Sequence, residues 1–297
     1  MNIYEYIKYI VARGLLKFCS PGLNPQTRLG DKIWTLRMFV RKHKRLPSKD
    51  KMVFSDVLYR LKTSDEALNP LRAFTSDKEF LRIYVKGMIG EKYNVPILAV
   101  LSNANEIENF FFPPKCCIKP THLSNELILR KENEVIDKSR IKNWFSKNYY
   151  KSSREANYKN LSPKVIVEPL IFDGNPIDFK FFCFNGEPKM IQVNFDSRAD
   201  TAENLYDTTW NELPYSKLPK RKPNALKKPK NFTEMLKVAA KLSEPFSFVR
   251  IDMYSNSKEI FIGEVSHVSG NIAQIFYPRS AELEASKLIF GDYLSND

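Results

Sequence analysis

Hydrophobic alternation is clearest in two places in the second half of the chain. Asp178 to Phe184 and Glu187 to Val193 flank Asn185-Gly186, and an Asn-Gly pair between such runs predicts a hairpin with a type I′ turn. With a period of two, Asp178, Lys180, Phe182 and Phe184 fall on one face, and Phe179, Phe181 and Cys183 on the other. A second hairpin is predicted from Phe246 to Tyr254 and Glu259 to Ser266, turning at 255–258. There Phe248, Arg250, Asp252 and Tyr254 share one face while Val249, Ile251 and Met253 occupy the other as core; on the partner strand Ile260, Ile262, Glu264 and Ser266 are expected to align.

Shorter apolar runs predict strands over 95–101, over 116–119 with a stop at Pro120, and over 165–168 with a break at Pro169. Helical patterning covers residues 1–75, which are basic. A further helix opens at Asp77-Lys78-Glu79 with its acids in the first turn, where the helix dipole favours them. A polar helix is expected over 138–149 and another over 232–243. No internal repeat is visible. Residues 216–230, rich in Pro and Lys, form a loop that is either a solvated connector or a contact for an acidic glycan or lipid head group.

Composition adds three constraints. At 297 residues with 43% hydrophobic content, the chain exceeds a typical single domain and can bury a core. Its formal net charge of +13 points to an anionic partner. The four cysteines are Cys19, Cys116, Cys117 and Cys183. Neighbours in a strand point to opposite faces, which argues against a Cys116–Cys117 disulfide, and no spacing matches a zinc site. Reduced thiols in a cytoplasmic protein are expected. Ile3 to Phe18 is apolar but interrupted by Glu5, Lys8, Arg13 and Lys17, so neither a membrane span nor a secretory signal is predicted. The segment reads as an amphipathic helix, resting either on the inner face of a membrane or on the protein's own core.

Candidate chemistry gathers on the second hairpin. If the register sets Asp252 beside Glu264, two carboxylates and the Arg250 guanidinium converge; a slip of one residue separates them. Such a pair suits magnesium, usually completed by nucleotide phosphates, with Arg250 placed to stabilise charge on a transferred phosphoryl group. A solvated polar face with a surface ion pair fits the same pattern. Lys119, ending a strand before a loop, is a candidate phosphate ligand, and Lys78 and Arg82 add positive charge. Glu168, at the end of its strand, is a candidate acceptor for an adenine amino group or ribose hydroxyl, or else a solvent-facing strand end.

The order of Asp77-Lys78, Ile118-Lys119-Pro120-Thr121-His122, Val165-Ile166-Val167-Glu168, Asp178-Phe179-Lys180-Phe181-Phe182, Phe248-Val249-Arg250-Ile251-Asp252 and Gly263-Glu264 resembles ATP-grasp enzymes. It is most similar to the TupA-like ATP-grasp family linked to cell-surface polymer and polysaccharide biosynthesis. The resemblance runs from about residue 20 to the C-terminal helix. It implies an α+β fold in which two lobes with antiparallel sheets sandwich a nucleotide. A basic helical segment (1–75) would precede a smaller lobe with the Lys119 loop (76–160) and a larger lobe with the hinge and metal hairpin (161–297). It also implies roles. Lys78, Arg82 and Lys119 would hold ATP phosphates, Glu168 would sit at the adenine hinge, and Asp178 and Lys180 at the nucleotide or acceptor edge. Arg250, Lys180 and His122 would serve catalysis, and Asp252 and Glu264 would bind Mg2+. Two departures stand out: Thr121, Leu123 and Asn125 replace the Asn and glycines of the family's loop, and Ser266 replaces an Asn common two residues after the metal Glu.

The implied activity is a carboxylate–amine ligase that forms an amide through an acyl phosphate, acting on a sugar uronic acid or amino acid, with an acidic glycan or lipid-linked sugar as partner. A glycosyltransferase or sugar kinase on the same fold is the alternative. A nucleic-acid module is disfavoured, because no helix-turn-helix, zinc knuckle or aromatic RNA-binding signature is present.

Overall fold

The structure, a computed structural model, describes residues 3–17, 25–48, 53–174, 176–194, 202–219, 221 and 226–291. Cys19 and part of the Lys-rich run, including Lys220 and Lys222, lie outside these residues. The helices are α1 (Ile3–Lys17), α2 (Arg28–His43), α3 (Phe54–Thr63), α4 (Pro70–Ser76), α5 (Lys78–Ile89), α6 (Ala104–Asn109), α7 (Lys138–Trp144), α8 (Tyr149–Ser153), α9 (Phe232–Ser243) and α10 (Ala281–Phe290). The strands are β1 (Ala99–Leu101), β2 (Cys116–Pro120), β3 (Ile128–Arg130), β4 (Val165–Pro169), β5 (Ile177–Phe184), β6 (Glu187–Asn194), β7 (Glu203–Asp207), β8 (Phe248–Ser255) and β9 (Ile260–Ser266). They form two antiparallel sheets, β1-β4-β2-β3 and β7-β6-β5-β8-β9.

Local chemistry explains several boundaries. Asn185 and Gly186 both have positive φ (49° and 79°), as the type I′ turn between β5 and β6 requires. Asp77 caps α5, its carboxylate accepting from the backbone N–H of Glu79 at 2.9 Å and Phe80 at 3.4 Å. The predicted strand over 95–101 shrinks to its last three residues, since Pro96 has no N–H to give a ladder. The helix expected over 138–149 ends at Trp144. There Ser146 and Lys147 donate to carbonyls three residues back, and the chain restarts as α8.

Three buried clusters hold these layers together. One face of the larger sheet, with Phe179, Phe181, Ile251 and Met253, packs on α5 and α9. On its other face, one end carries Phe182, Met190 and Phe248, which are covered by Phe39 of α2, Phe54 and Leu58 of α3, and Ile289 of α10. The smaller sheet buries Ile118, Val165 and Val167 against Ile107, Ile141 and Trp144. Asp31 of α2 pairs with Arg154 at 3.2 Å and accepts from the Tyr150 hydroxyl at 2.8 Å. The N-terminal helices α2 and α3 are thus built into the core across the boundary drawn at residue 75, and α5 packs under the larger sheet. No helix among the described residues is long and apolar enough to cross a membrane. In α1, Tyr9 is buried while Tyr6, Ile10 and Val11 are exposed.

Candidate functional site

The uncovered part of the larger sheet faces the smaller one across a cavity of about 450 Å³. Register decides what lines it. Lys180 of β5 lies opposite Gln192 of β6 and Asp252 of β8, and Asp252 lies opposite Glu264 of β9. Side chains directly opposite across antiparallel strands share a face, so a polar row crosses the sheet from Gln192 to Glu264. One step along, Asp178 lies opposite Asn194 and Tyr254. From the smaller sheet, Cys117 and Lys119 of β2 and Glu168 of β4 face back into the cavity.

The two predicted metal acids meet as the register required, but they are not equivalent. Asp252 is only 4% exposed. Arg250 grips it through Nε at 2.6 Å and Nη2 at 2.7 Å, and the Lys180 ammonium lies 2.8 Å away. Burial works against the carboxylate's charge, yet Arg250 and Lys180 hold its pKa below the usual value. Glu264 is more open, with only long contacts: 3.9 Å to Arg250 and 4.0 Å to Lys78. Burial likewise opposes the charges of Lys180 and Arg250, but the neighbouring carboxylates raise both pKa values. Asp178 pairs with Lys180 at 2.6 Å, while burial pushes its own pKa up and its Oδ1 has no hydrogen-bond partner among the described residues.

Lys78 lines the cavity, with its ammonium donating to the Leu123 carbonyl at 2.6 Å and its pKa pushed down by burial. Lys78 thereby holds the loop that follows β2. Within that loop Asn125 adopts φ 61°, a left-handed conformation that Asn tolerates better than most residues; the loop keeps one such position although its glycines are replaced. Two expected site residues sit elsewhere. His122 is 3% exposed and is not in the cavity wall; its Nε2 bonds the Trp144 carbonyl at 3.0 Å, and burial lowers its pKa. β2 ends at Pro120, so alternation no longer sets the facing here, and Thr121, His122 and Leu123 are all buried as the chain turns away from the strand. Arg82 is absent from the wall too. It lies behind Glu168, bound to that carboxylate at 2.6 Å and to the Ile262 carbonyl at 2.5 Å. Glu168 is not a solvent-facing strand end, being 2% exposed.

A bulge corrects the facing expected for β9. Asp252 pairs with Glu264 but Met253 pairs with Ile262, leaving Gly263 as the extra residue. Ile260 and Ile262 therefore turn into the core beside Met253, and Glu264 stays on the cavity face. Phe261, opposite Tyr254, moves to the cavity side, where its ring lies 5.6 Å from Phe172. Glycine at position 263 also makes room for a neighbour: a Cβ there would stand 2.8 Å from Tyr254 Cε2. Gly263→Ala is expected to destabilise the protein by about 1–3 kcal/mol, as overpacking does, and to push the Tyr254 ring into the cavity. An unchanged unfolding midpoint would show that the ring yields freely.

Sequence reasoning missed much of the apolar wall, formed by Cys117, Leu129, Leu170, Ile171 and Tyr254. The alternation that placed Lys119 and Asp252 also places Cys117 and Tyr254 two residues away on the same faces. Lys217, at the start of the loop read as either a solvated connector or a contact for an acidic glycan or lipid head group, is buried with its ammonium 4.4 Å from the Phe182 ring centre, and burial lowers its pKa to about 7. Further along that loop Arg221 pairs with Glu212.

Two antiparallel sheets closing on a cavity with lysines on one wall and a cation–carboxylate row on the other define the ATP-grasp class. The profile of the TupA-like ATPgrasp family matches residues 58–292, and the chain belongs to that family. No curated protein matches the chain. Similar solved structures include the D-alanine–D-alanine ligase of Helicobacter pylori (15% identity, TM-score 0.39), over 67% of this chain and 56% of that one. The Bacillus anthracis D-alanine–D-alanine ligase complexed with ATP is 16% identical over 77% of this chain and 69% of that one, with a TM-score of 0.41. The ATP-grasp ligase PsnB with minimal precursor, Mg and ADP is 12% identical over 78% and 66%, with a TM-score of 0.37. The chain thus spans little more than half of the Helicobacter pylori enzyme.

Proposed function

We propose that this chain is a magnesium-dependent ATP-grasp ligase that activates a carboxylate as an acyl phosphate and joins it to an amine. One observation carries the reading: Lys78 and Lys119 face the row Lys180–Asp252–Glu264 across one cavity, with an apolar pocket around Leu170, Ile171 and Tyr254 beside it. A purine fits the apolar end, and the triphosphate fits the cationic end. In such a site positioning and electrostatics supply most of the catalysis. Lys78, Lys119 and Arg250 would neutralise the phosphates. The carboxylate oxygen would attack the γ-phosphorus as ADP leaves; the amine would then attack the acyl carbon, expelling phosphate and releasing a proton.

Among the described residues no group of three or more His, Cys, Asp or Glu side chains is arranged for a metal. Magnesium does not need one, since it usually takes one or two carboxylates and completes its shell with phosphate oxygens and water. Asp252 and Glu264 fit that donor set as hard oxygens facing one cavity, and among the described residues the cations near Glu264 stand 3.9 and 4.0 Å away. When bound, the ion would neutralise developing phosphoryl charge.

The setting in surface-polysaccharide biosynthesis, with a sugar uronic acid or amino acid as substrate, rests on the family resemblance. Glycosyl or phosphoryl transfer to a glycan, using another nucleotide, is favoured by one feature: the loop after Lys119 carries a buried Leu123 where close phosphate approach calls for glycine. Calorimetry decides between them. ATP is expected to bind in the presence of magnesium; a chain that ignores ATP but binds a nucleotide sugar would favour the second reading.

A further inference from the structure

A charged contact between the smaller sheet and α5 runs through one carboxylate. Glu168 stands on β4 of the smaller sheet, beside Lys119 on the adjacent strand. One of its oxygens is 2.6 Å from the Lys119 ammonium and the other is 2.6 Å from Arg82 Nη2. Arg82 belongs to α5, which packs under the larger sheet, and its second anchor is the carbonyl of Ile262 on β9, two residues before Glu264. All three side chains are almost fully buried. Burial alone would raise the carboxyl pKa, but Lys119 and Arg82 bring it below its usual value, so the group is a charged bridge.

We infer that Glu168 is a positioning residue, which clasps Lys119 of the smaller sheet to Arg82 of α5, the helix beneath the larger sheet, and so fixes the Lys119 ammonium at its height above the phosphate end of the cavity. This rests on reading the cavity as a nucleotide site, and it departs from the role expected for Glu168, recognition of the adenine amino group or ribose. Both roles place Glu168 in the wall, but they differ in charge logic. A carboxylate that reads a base offers an oxygen to a neutral donor. Here each oxygen already meets a cation, and one of those cations is the candidate phosphate ligand. Without Glu168, two buried cations lose their shared counter-charge, and Lys119 has nothing to hold it over the cavity. The clasp also ties the smaller lobe to the strand that carries Glu264, so it sets how far the two walls stand apart where the phosphates would lie.

The test separates the phosphates from the base by comparing ATP with adenosine in equilibrium binding to the full chain. Glu168→Gln is expected to weaken ATP at least about tenfold, in keeping with the loss of one partner of a buried charge pair, while adenosine affinity barely changes. In a Lys119→Met background the same substitution should add nothing further, because the two residues act as a unit. Glu168→Asp keeps the charge but shortens the reach, and should show the same split if Glu168→Gln fails to fold. Equal losses for ATP and adenosine, full additivity with Lys119→Met, or ATP affinity unchanged in both variants would each overturn the clasp. A parent chain that binds neither ligand would overturn the nucleotide reading and the clasp together, whereas failure of the clasp alone leaves parental ATP binding intact.

Discussion

Glu264→Gln is expected to abolish most turnover while leaving the melting temperature close to that of the parent, and Asp252→Asn to damage both. The two acids face one cavity from adjacent strands, and on charge alone either substitution removes one oxygen ligand of full charge from the proposed ion. A loss of about 2.7–4 kcal/mol in transition-state stabilisation, or roughly 10²–10³ in rate, is typical for one such electrostatic element. Their surroundings differ. Glu264 has only contacts of 3.9 and 4.0 Å to cations and sits partly in solvent, so a neutral amide there strands no buried charge. Asp252 is the shared counter-ion of buried Arg250 and of the partly buried Lys180, which is also paired with Asp178. Neutralising it leaves two cations facing each other, and breaking a buried pair this way typically costs about 3–5 kcal/mol. Turnover and thermal unfolding measured on both variants, with magnesium varied, provide the check. Near-parental turnover in Glu264→Gln would remove the metal assignment, and equal melting temperatures in the two variants would contradict the pairing around Asp252.

The alternation of β8 and the Asn-Gly turn were legible because each depends on neighbours in sequence: a period of two, and a backbone that needs positive φ. The facing of Asp252 and Glu264 could be stated only as a condition, since register is a long-range property. The bulge at Gly263 was hidden for the same reason, and with it the turn of Ile262 into the core and of Phe261 out of it. His122 and Arg82 show a different limit. A motif gives a residue's place along the chain, but whether its side chain reaches the cavity depends on what packs behind it. A carbonyl at Trp144 takes one, and a carboxylate at Glu168 the other. Cys117 and Tyr254 could have been added to the site from alternation alone, because they lie two residues from Lys119 and Asp252 on the same faces.

Phe54→Ala is expected to destabilise the protein by about 3–5 kcal/mol, the range for removing a fully buried aromatic side chain. Phe54 lies just before the matched family segment, which starts at residue 58, in the stretch that reads from sequence as a basic helical segment. The structure gives it a central place instead. It is 1% exposed, and its ring centre lies 5.5 to 5.9 Å from those of Phe182, Phe248 and Phe276, with edge-on geometry at each. Its backbone N–H donates to the Ser286 hydroxyl of α10 at 2.7 Å. Truncation would open a cavity between α3, α10 and the strands that carry Lys180 and Arg250, and a close-packed aromatic cluster can collapse into such a space only in part. Phe182 is two residues from Lys180, and Phe248 two residues from Arg250, along strands of fixed register. The loss should therefore appear first in stability and only secondarily in the polar row. Chemical denaturation of the variant tests this: a fall in the midpoint with the slope retained is expected. A loss below about 1 kcal/mol, close to the size of a surface change, would mean that the N-terminal helices rest on the larger sheet without being part of the core.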